Sequence, residues 1–284
     1  MKTIDTLVTD IYETLEQGVD TSRADVQDLL EEFGKDAQAA VAMMLSEGKR
    51  EGKQNLRLSQ IGKPDRQIWY GLHGAKEEPL TGQTRIKFLM GHLLEALLIA
   101  LTKAAGHTVE DAQGEVVVEG VLGHQDCIID GVLTDIKTAS SYAFKKFKEG
   151  TLSDNDPFGY IAQISAYATK NDRKEAAFFA IDKNNSELTV LKVHEMEMID
   201  APARVRELKK VKEMDFPPAR CYKDEPDGAS GNRKLAIGCV FCSYKKDCWE
   251  DANNGKGLRG FQYSNGVRYL TNVSKVPNVD EIEL

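Results

Sequence analysis

No stretch of this chain reaches eighteen consecutive apolar residues, because its most hydrophobic segment, 88–105, is interrupted by His92, Glu95 and Lys103. A membrane-spanning helix is therefore not expected. The first seventeen residues carry acids where a secretory leader needs a continuous apolar core, so a cytoplasmic setting is expected instead. Excess positive charge is also missing: 37 basic residues stand against 45 acidic ones, a net charge of −8. That excludes a generally basic nucleic-acid coat but leaves room for a local basic groove. Internal repeats and low-complexity tracts are absent. Cysteine is sparse and uneven, with five in all and four of them between Cys221 and Cys248. An odd count clustered in this way points to metal binding rather than a disulfide framework.

The remaining composition, 41% apolar and 29% charged over 284 residues, suits one elaborated domain or two modest ones. Residues 1–56 read as a polar, helical N-terminal region. The strongest helix signal spans 84–105 and ends at Gly106. Strand-like runs follow at 115–119, 122–130 and 132–137. Asp156-Pro157 then reads as an N-cap and first turn of a helix to about residue 170. Further strands are expected at 176–182 and 188–194, and a basic amphipathic helix at 201–213. The expectation is an α/β fold with a mixed central sheet flanked by helices, its core at 57–214, and a cysteine-bearing segment with an acidic tail at 215–284.

The chemistry concentrates in residues 124–137. Asp130-Gly131 between two β-rich runs signals a two-residue hairpin turn, which needs positive φ at both positions. Cross-strand partners then sum to 261, so Asp126 faces Asp135, with Lys137 on the same side and His124 opposite Lys137. Cys127, Ile129, Val132 and Ile136 form the apolar back. Two facing carboxylates repel unless something offsets them. Asp126, Asp135 and the carbonyl of Ile136 suit Mg²⁺ or Mn²⁺, with open positions for water and phosphate. Lys137 can orient or help deprotonate the water. Metal-dependent phosphodiester hydrolysis is the chemistry this arrangement fits.

Four motifs in order carry a resemblance: Gly91-His92-Leu93-Leu94-Glu95, Gly123-His124-Gln125-Asp126, Asp135-Ile136-Lys137, and Gln163 with Tyr167. Over about 57–249 the chain resembles the PD-(D/E)XK nuclease superfamily, in particular its RecB-like, phage-type exonuclease branch. The resemblance implies a restriction-endonuclease-like core and a metal-dependent deoxyribonuclease acting on single- or double-stranded DNA ends in recombination, repair or replication, with a recombination or replication protein as partner. It adds Glu95 to the metal site, and Gln163 and Tyr167 to the catalytic set. Glu95 sits among leucines, a costly place for an unpaired charge. Gln163 and Tyr167, four apart, share one helix face. A structure-selective or CRISPR-adaptation-like endonuclease and a non-catalytic DNA-binding scaffold are the alternative functions. His92 and His124 stay outside the catalytic set.

Cys221, Cys239, Cys242 and Cys248 are spaced x17, x2 and x5. Four thiolates can close a tetrahedral site. The spacing resembles the iron–sulfur nucleases of the RecB-like group, including those of CRISPR adaptation, which implies a 4Fe–4S cluster; Zn²⁺ and free thiols are the alternatives. That group places its first cysteine upstream, where this chain has Lys63-Pro64-Asp65-Arg66, so Cys221 is expected to serve as fourth ligand if the cluster forms. Cys127 is expected in the core. Lys145, Lys146, Lys148, residues 204–212, Arg233, Lys234, Lys245 and Lys246 could line a phosphate-tracking groove, with Phe144, Phe147, Tyr244 or Trp249 as stacking faces. The tail at 279–284 reads as a loose docking peptide.

Overall fold

Residues 176–181 are buried almost without interruption, the pattern of a strand covered on both faces. In the computed structural model, which describes residues 2–46, 54–170 and 172–284, this run is the fourth strand of a five-stranded sheet. Residues 47–53 of the expected N-terminal helical region lie outside the described residues. The chain forms two compact units, one of residues 2–46, 56–62 and 80–206, the other of 54–55, 63–79 and 207–284.

The first unit begins with α1 (Leu7–Gln17) and α2 (Ala24–Ser46). After α3 (Asp65–Leu72), which belongs to the second unit, comes α4 (Gly82–Ala104). Thr81 caps α4 by accepting a hydrogen bond from Thr84 N, and Gly106 just beyond its end has a φ of 81°. Seven strands follow: β1 (Val109–Glu110), β2 (Glu115–Val118), β3 (Val121–His124), β4 (Cys127–Ile129), β5 (Val132–Ala139), β6 (Glu175–Asp182) and β7 (Leu188–His194). Helices α5 (Ser141–Lys148) and α6 (Tyr160–Ala168) join β5 to β6. The central sheet runs β1-β4-β5-β6-β7; only β5 and β6 are parallel, and parallel neighbours need such a crossover. It is a mixed sheet flanked by helices, as expected.

Packing sorts the residues of β5 by parity. Ile136 joins Cys127, Ile129, Phe179 and Ile181 in one buried cluster with Leu7 and Ile11 of α1 and Leu98 of α4. On the other face Phe178 meets Phe147 of α5 edge-on and Tyr160 of α6. Asp135 and Lys137 alternate with Ile136 and face that second side.

The expected strand 122–130 is broken at Gln125 and Asp126. Its first half, β3, pairs with β2 in a separate two-stranded sheet, so His124 faces Glu115 rather than Lys137. Gly123 explains the departure: a Cβ there would lie 2.7 Å from Leu58 and 2.9 Å from Tyr167, so β3 is drawn against a wall with no room for a side chain. The helix expected from Asp156-Pro157 also starts later, at Tyr160. Gly159 has a φ of 74° and presses on Gly62, which breaks the helical path, although Asp156 Oδ2 still accepts from Ile161 N at 2.8 Å.

Helix α7 (Ala201–Lys212) carries the chain across the boundary at residue 206 and back into the second unit. It continues through β8 (Glu225–Pro226), β9 (Arg233–Lys234), α8 (Ile237–Val240), α9 (Lys245–Cys248), α10 (Ala252–Gly255), β10 (Arg259–Tyr263), β11 (Gly266–Asn272) and β12 (Glu281–Ile282). The strands form one sheet ordered β12-β10-β11-β9-β8. The tail expected to be loose is therefore a strand, with Glu281 held by the Arg259 guanidinium at 2.6 and 2.7 Å. No helix among the described residues is long and apolar enough to cross a membrane.

Candidate functional site

The hairpin turn forms as its residues dictate, with φ values of 49° at Asp130 and 81° at Gly131. Strand partners Cys127–Thr134, Ile128–Leu133 and Ile129–Val132 all sum to 261. Pairing ends at Cys127, so Asp126 lies one step beyond the ladder rather than in it. Its Oδ2 instead accepts from the backbone N–H of Ile136 at 2.7 Å, which ties it to the strand carrying Asp135 and Lys137.

Asp135 is 1% exposed, and neither carboxylate oxygen has a well-formed hydrogen bond. Lys137 Nζ stands 2.5 Å from Asp135 Oδ2, an ion pair without hydrogen-bond alignment. Burial works to lower the Lys137 ammonium, but Asp135 and Asp126 more than offset it and hold its pKa raised. Its ammonium also lies 4.7 Å from the Tyr160 ring centre. Burial, then Asp135 and Glu95, push Asp126 well above the usual carboxylate range. Glu95 is raised by burial and next by Asp135. These carboxylates and one lysine form a single electrostatic group.

Gln113 ties two of them together and was not singled out in the sequence. Its side-chain amide donates to Glu95 Oε1 at 2.8 Å, and its backbone N–H donates to the Asp126 carbonyl at 2.9 Å. It sits at a φ of 56°, rare for a residue with a side chain. Asp111, also left-handed, anchors this loop by accepting from Gln125 Nε2 at 2.8 Å and Lys170 Nζ at 2.9 Å. Only the unusual backbone marks Gln113, and that leaves no trace in composition or period.

Gln163 and Tyr167 share one face of α6, with Gln163 Nε2 donating to Tyr167 Oη at 3.1 Å. Tyr167 is buried, and burial pushes its hydroxyl pKa up to about 12. Gly91 faces open space, so its motif position has no steric cause here. Cys127 is fully buried and its thiol is raised by burial, as a core residue should be.

The buried, unsatisfied oxygens of Asp135 beside two more carboxylates form a donor set of the right chemistry for a hard divalent cation. Among the described residues no three His, Cys, Asp or Glu side chains are already gathered to hold an ion. The expected set of Glu95, Asp126 and Asp135 with the Ile136 carbonyl is therefore not drawn together as a ready-made cage, and neither are the four clustered cysteines.

In the second unit Cys221, Cys239, Cys242 and Cys248 line one pocket together with Pro64, Arg66, Gln67 and Tyr70. The backbone N–H groups of Arg66 and Gln67, at the start of α3, act on the Cys221 thiol against the effect of its burial. Cys248 Sγ accepts from Arg66 Nε at 3.1 Å. Thus Cys221 meets the segment where the iron–sulfur group carries its first cysteine. Burial raises the Cys221 and Cys242 thiols and brings Cys239 to about 11.

The basic groove needs correction. Lys145, Lys148, Arg206 and Arg233 pair with Glu149, Glu187, Glu119 and Asp224 at 3.6, 2.5, 2.6 and 2.7 Å. Lys245 and Lys246 both meet Glu78. Phe144, Phe147, Tyr244 and Trp249 are all buried and offer no stacking face. Their large apolar surfaces complete the packing of each unit.

No described family matches the chain, and no curated protein does. Among solved structures, a phage-related exonuclease from Haemophilus somnus 129PT is similar at 16% identity, with 58% of this chain and 95% of that one covered and a TM-score of 0.40. The alkaline exonuclease LHK-Exo from Laribacter hongkongensis gives 14% identity, 54% and 91% coverage, and a TM-score of 0.30. The protein SSO0001 gives 15%, 73% and 91%, with a TM-score of 0.40. Each is a partial likeness of fold.

Proposed function

We propose that the protein is a Mg²⁺- or Mn²⁺-dependent DNA exonuclease of the RecB-like, restriction-endonuclease-like type. The observation that carries this reading is Asp135: a buried carboxylate with unsatisfied oxygens, next to Lys137 and two carboxylates whose pKa values are raised. Asp126, Asp135 and the Ile136 carbonyl would hold the cation, with Glu95 reaching it from α4. A bound divalent ion polarises the phosphate and makes its water more acidic. Lys137 holds its ammonium at the Asp135 carboxylate, where it orients the attacking water and offsets charge on the phosphate. Gln163 presents its amide on the same side, braced by the buried Tyr167 hydroxyl. Exonuclease rather than endonuclease action is what the resemblance carried by the four ordered motifs implies.

The same reading assigns a 4Fe–4S cluster to the four cysteines, with Zn²⁺ as the alternative. Support comes from an all-thiol donor set on one pocket wall and from the Arg66 guanidinium, which donates to Cys248 Sγ at 3.1 Å. End-labelled linear and circular DNA, single- and double-stranded, incubated with and without Mg²⁺, tests the proposed activity. Mg²⁺-dependent loss of linear DNA only is expected. Cutting of circles would indicate an endonuclease, and binding without cutting would indicate a scaffold.

A further inference from the structure

Tyr142 on α5 and Phe158 on the loop before α6 are large aromatic side chains turned to solvent, at 76% and 56% exposure. Phe158 stacks on Tyr160, with ring centres 5.5 Å apart and planes inclined by 27°. Tyr160 in turn lies 4.7 Å from Lys137 Nζ and packs against Phe147 and Phe178. A continuous chain of ring contacts thus runs from the core, past the lysine, to a solvent-facing ring.

That ring is held rather than loose. Gly159 is locked against Gly62, where a Cβ on either would fall 2.4 Å from the other's Cα. Asp156 Oδ2 accepts from Ile161 N at 2.8 Å, and Lys146 Nζ donates to the Asn155 carbonyl at 2.8 Å. Lys146 also lies 5.5 Å from the Tyr142 ring centre.

Resting on the nuclease reading, we infer that Phe158, braced by Tyr160, is a stacking platform for one nucleobase beside the scissile phosphate. Lys146 and Tyr142 extend the track to the neighbouring nucleotide. Such a platform covers one free face of a base, so the site suits single-stranded or frayed ends, whose bases can turn onto it. Stacking on an aromatic ring changes affinity by about five- to a hundredfold per base.

The test is a substitution cycle on single-stranded oligonucleotides in which one abasic position is moved along the strand. Affinity is read by fluorescence anisotropy in EDTA, and kcat/KM by hydrolysis in Mg²⁺. At one position, removing the base should weaken wild type about five- to a hundredfold and leave Phe158→Ala almost unaffected, while Phe158→Trp restores the penalty. Equal penalties in wild type and Phe158→Ala at every position overturn the platform while leaving the nuclease reading intact. A wild-type protein that neither binds nor hydrolyses any of these strands overturns both.

Discussion

The two candidate metal-binding regions stand on opposite kinds of support. The carboxylates sit on and beside strands whose back face is packed by Cys127, Ile129, Ile136, Phe179 and Ile181 against α1 and α4. The cysteines sit on short turns beside a small cluster of Leu235, Trp249 and Ala252, with Val240, Leu258 and Tyr269 partly buried around it. Oxygen ligands held by a large core can wait for a cation without unfolding. Thiols held by a small one would, on the proposed reading, rely on a metal to finish the fold. The first unit should therefore lose chemistry when its metal is removed, and the second should lose structure.

The sharpest way to break this contrast is at Asp135 and Lys137. Asp135→Asn is expected to lower DNA hydrolysis about a thousandfold or more, and Lys137→Ala about a hundred- to ten-thousandfold, measured as kcat on end-labelled DNA. Circular dichroism and the melting curve should stay close to wild type. Unfolding in either variant would mean that this site, too, is structural.

Cys242→Ser probes the other side. Anaerobically purified wild type should be brown, with iron and acid-labile sulfide in about equal amounts. The variant should lose both and become protease-sensitive beyond residue 215, with residues 80–206 still resistant. A colourless wild type holding one zinc keeps the stapling argument and replaces the cluster. Metal-free protein with ordered residues 221–249 would end the argument in both forms.

Acidity sharpens the comparison more finely. Asp126 and Glu95 are held above their ordinary values of 3.8 and 4.5, so their protonated forms favour the folded state. That contribution is complete below the ordinary values and is lost as pH rises through the raised ones. In EDTA, melting temperature should therefore fall across that rise in wild type relative to Asp126→Asn. Saturating Mg²⁺ should remove the difference. A flat difference without metal would contradict the electrostatic grouping.

The smallest effect belongs to Gln113. Its hydrogen bond to a carboxylate is worth about 1.5–3 kcal/mol, so Gln113→Ala should lower kcat about tenfold or somewhat more, with KM little changed. As a positioning residue it should also shift the pH profile of kcat by releasing Glu95. A change in KM alone would place it in substrate binding.

Local chemistry made much of this legible in the sequence. Asp130-Gly131 needs two left-handed residues, and the register of β4 and β5 follows from that turn. The alternation of Asp135, Ile136 and Lys137 puts apolar and charged groups on opposite faces without further information. What escaped depends on distant partners. Gly123 is squeezed by Leu58 and Tyr167, and this pulls β3 and His124 out of the hairpin. Gly159 meets Gly62, which delays α6 and leaves Phe158 in solvent. The contact of Cys221 with Arg66 and Gln67 joins residues that no local pattern relates.

The first helix has a consequence for how the protein is made. Leu7 and Ile11 are fully buried in the cluster behind the hairpin, and His107 bridges Asp10 of α1 at 3.1 Å to the turn residue Asp130 at 2.6 Å. Tyr12 Oη accepts from Leu188 N, 176 positions further on. On a ribosome adding about 5–20 residues per second, α1 waits roughly ten to thirty-five seconds for β7 to emerge. Until α4 and the hairpin emerge its apolar face is bare, and the hairpin must then close without the full core that backs it in the finished protein. Residues made 176 positions ahead of their partner are thus among the last to be secured, and the carboxylate site becomes fully supported only as β7 docks.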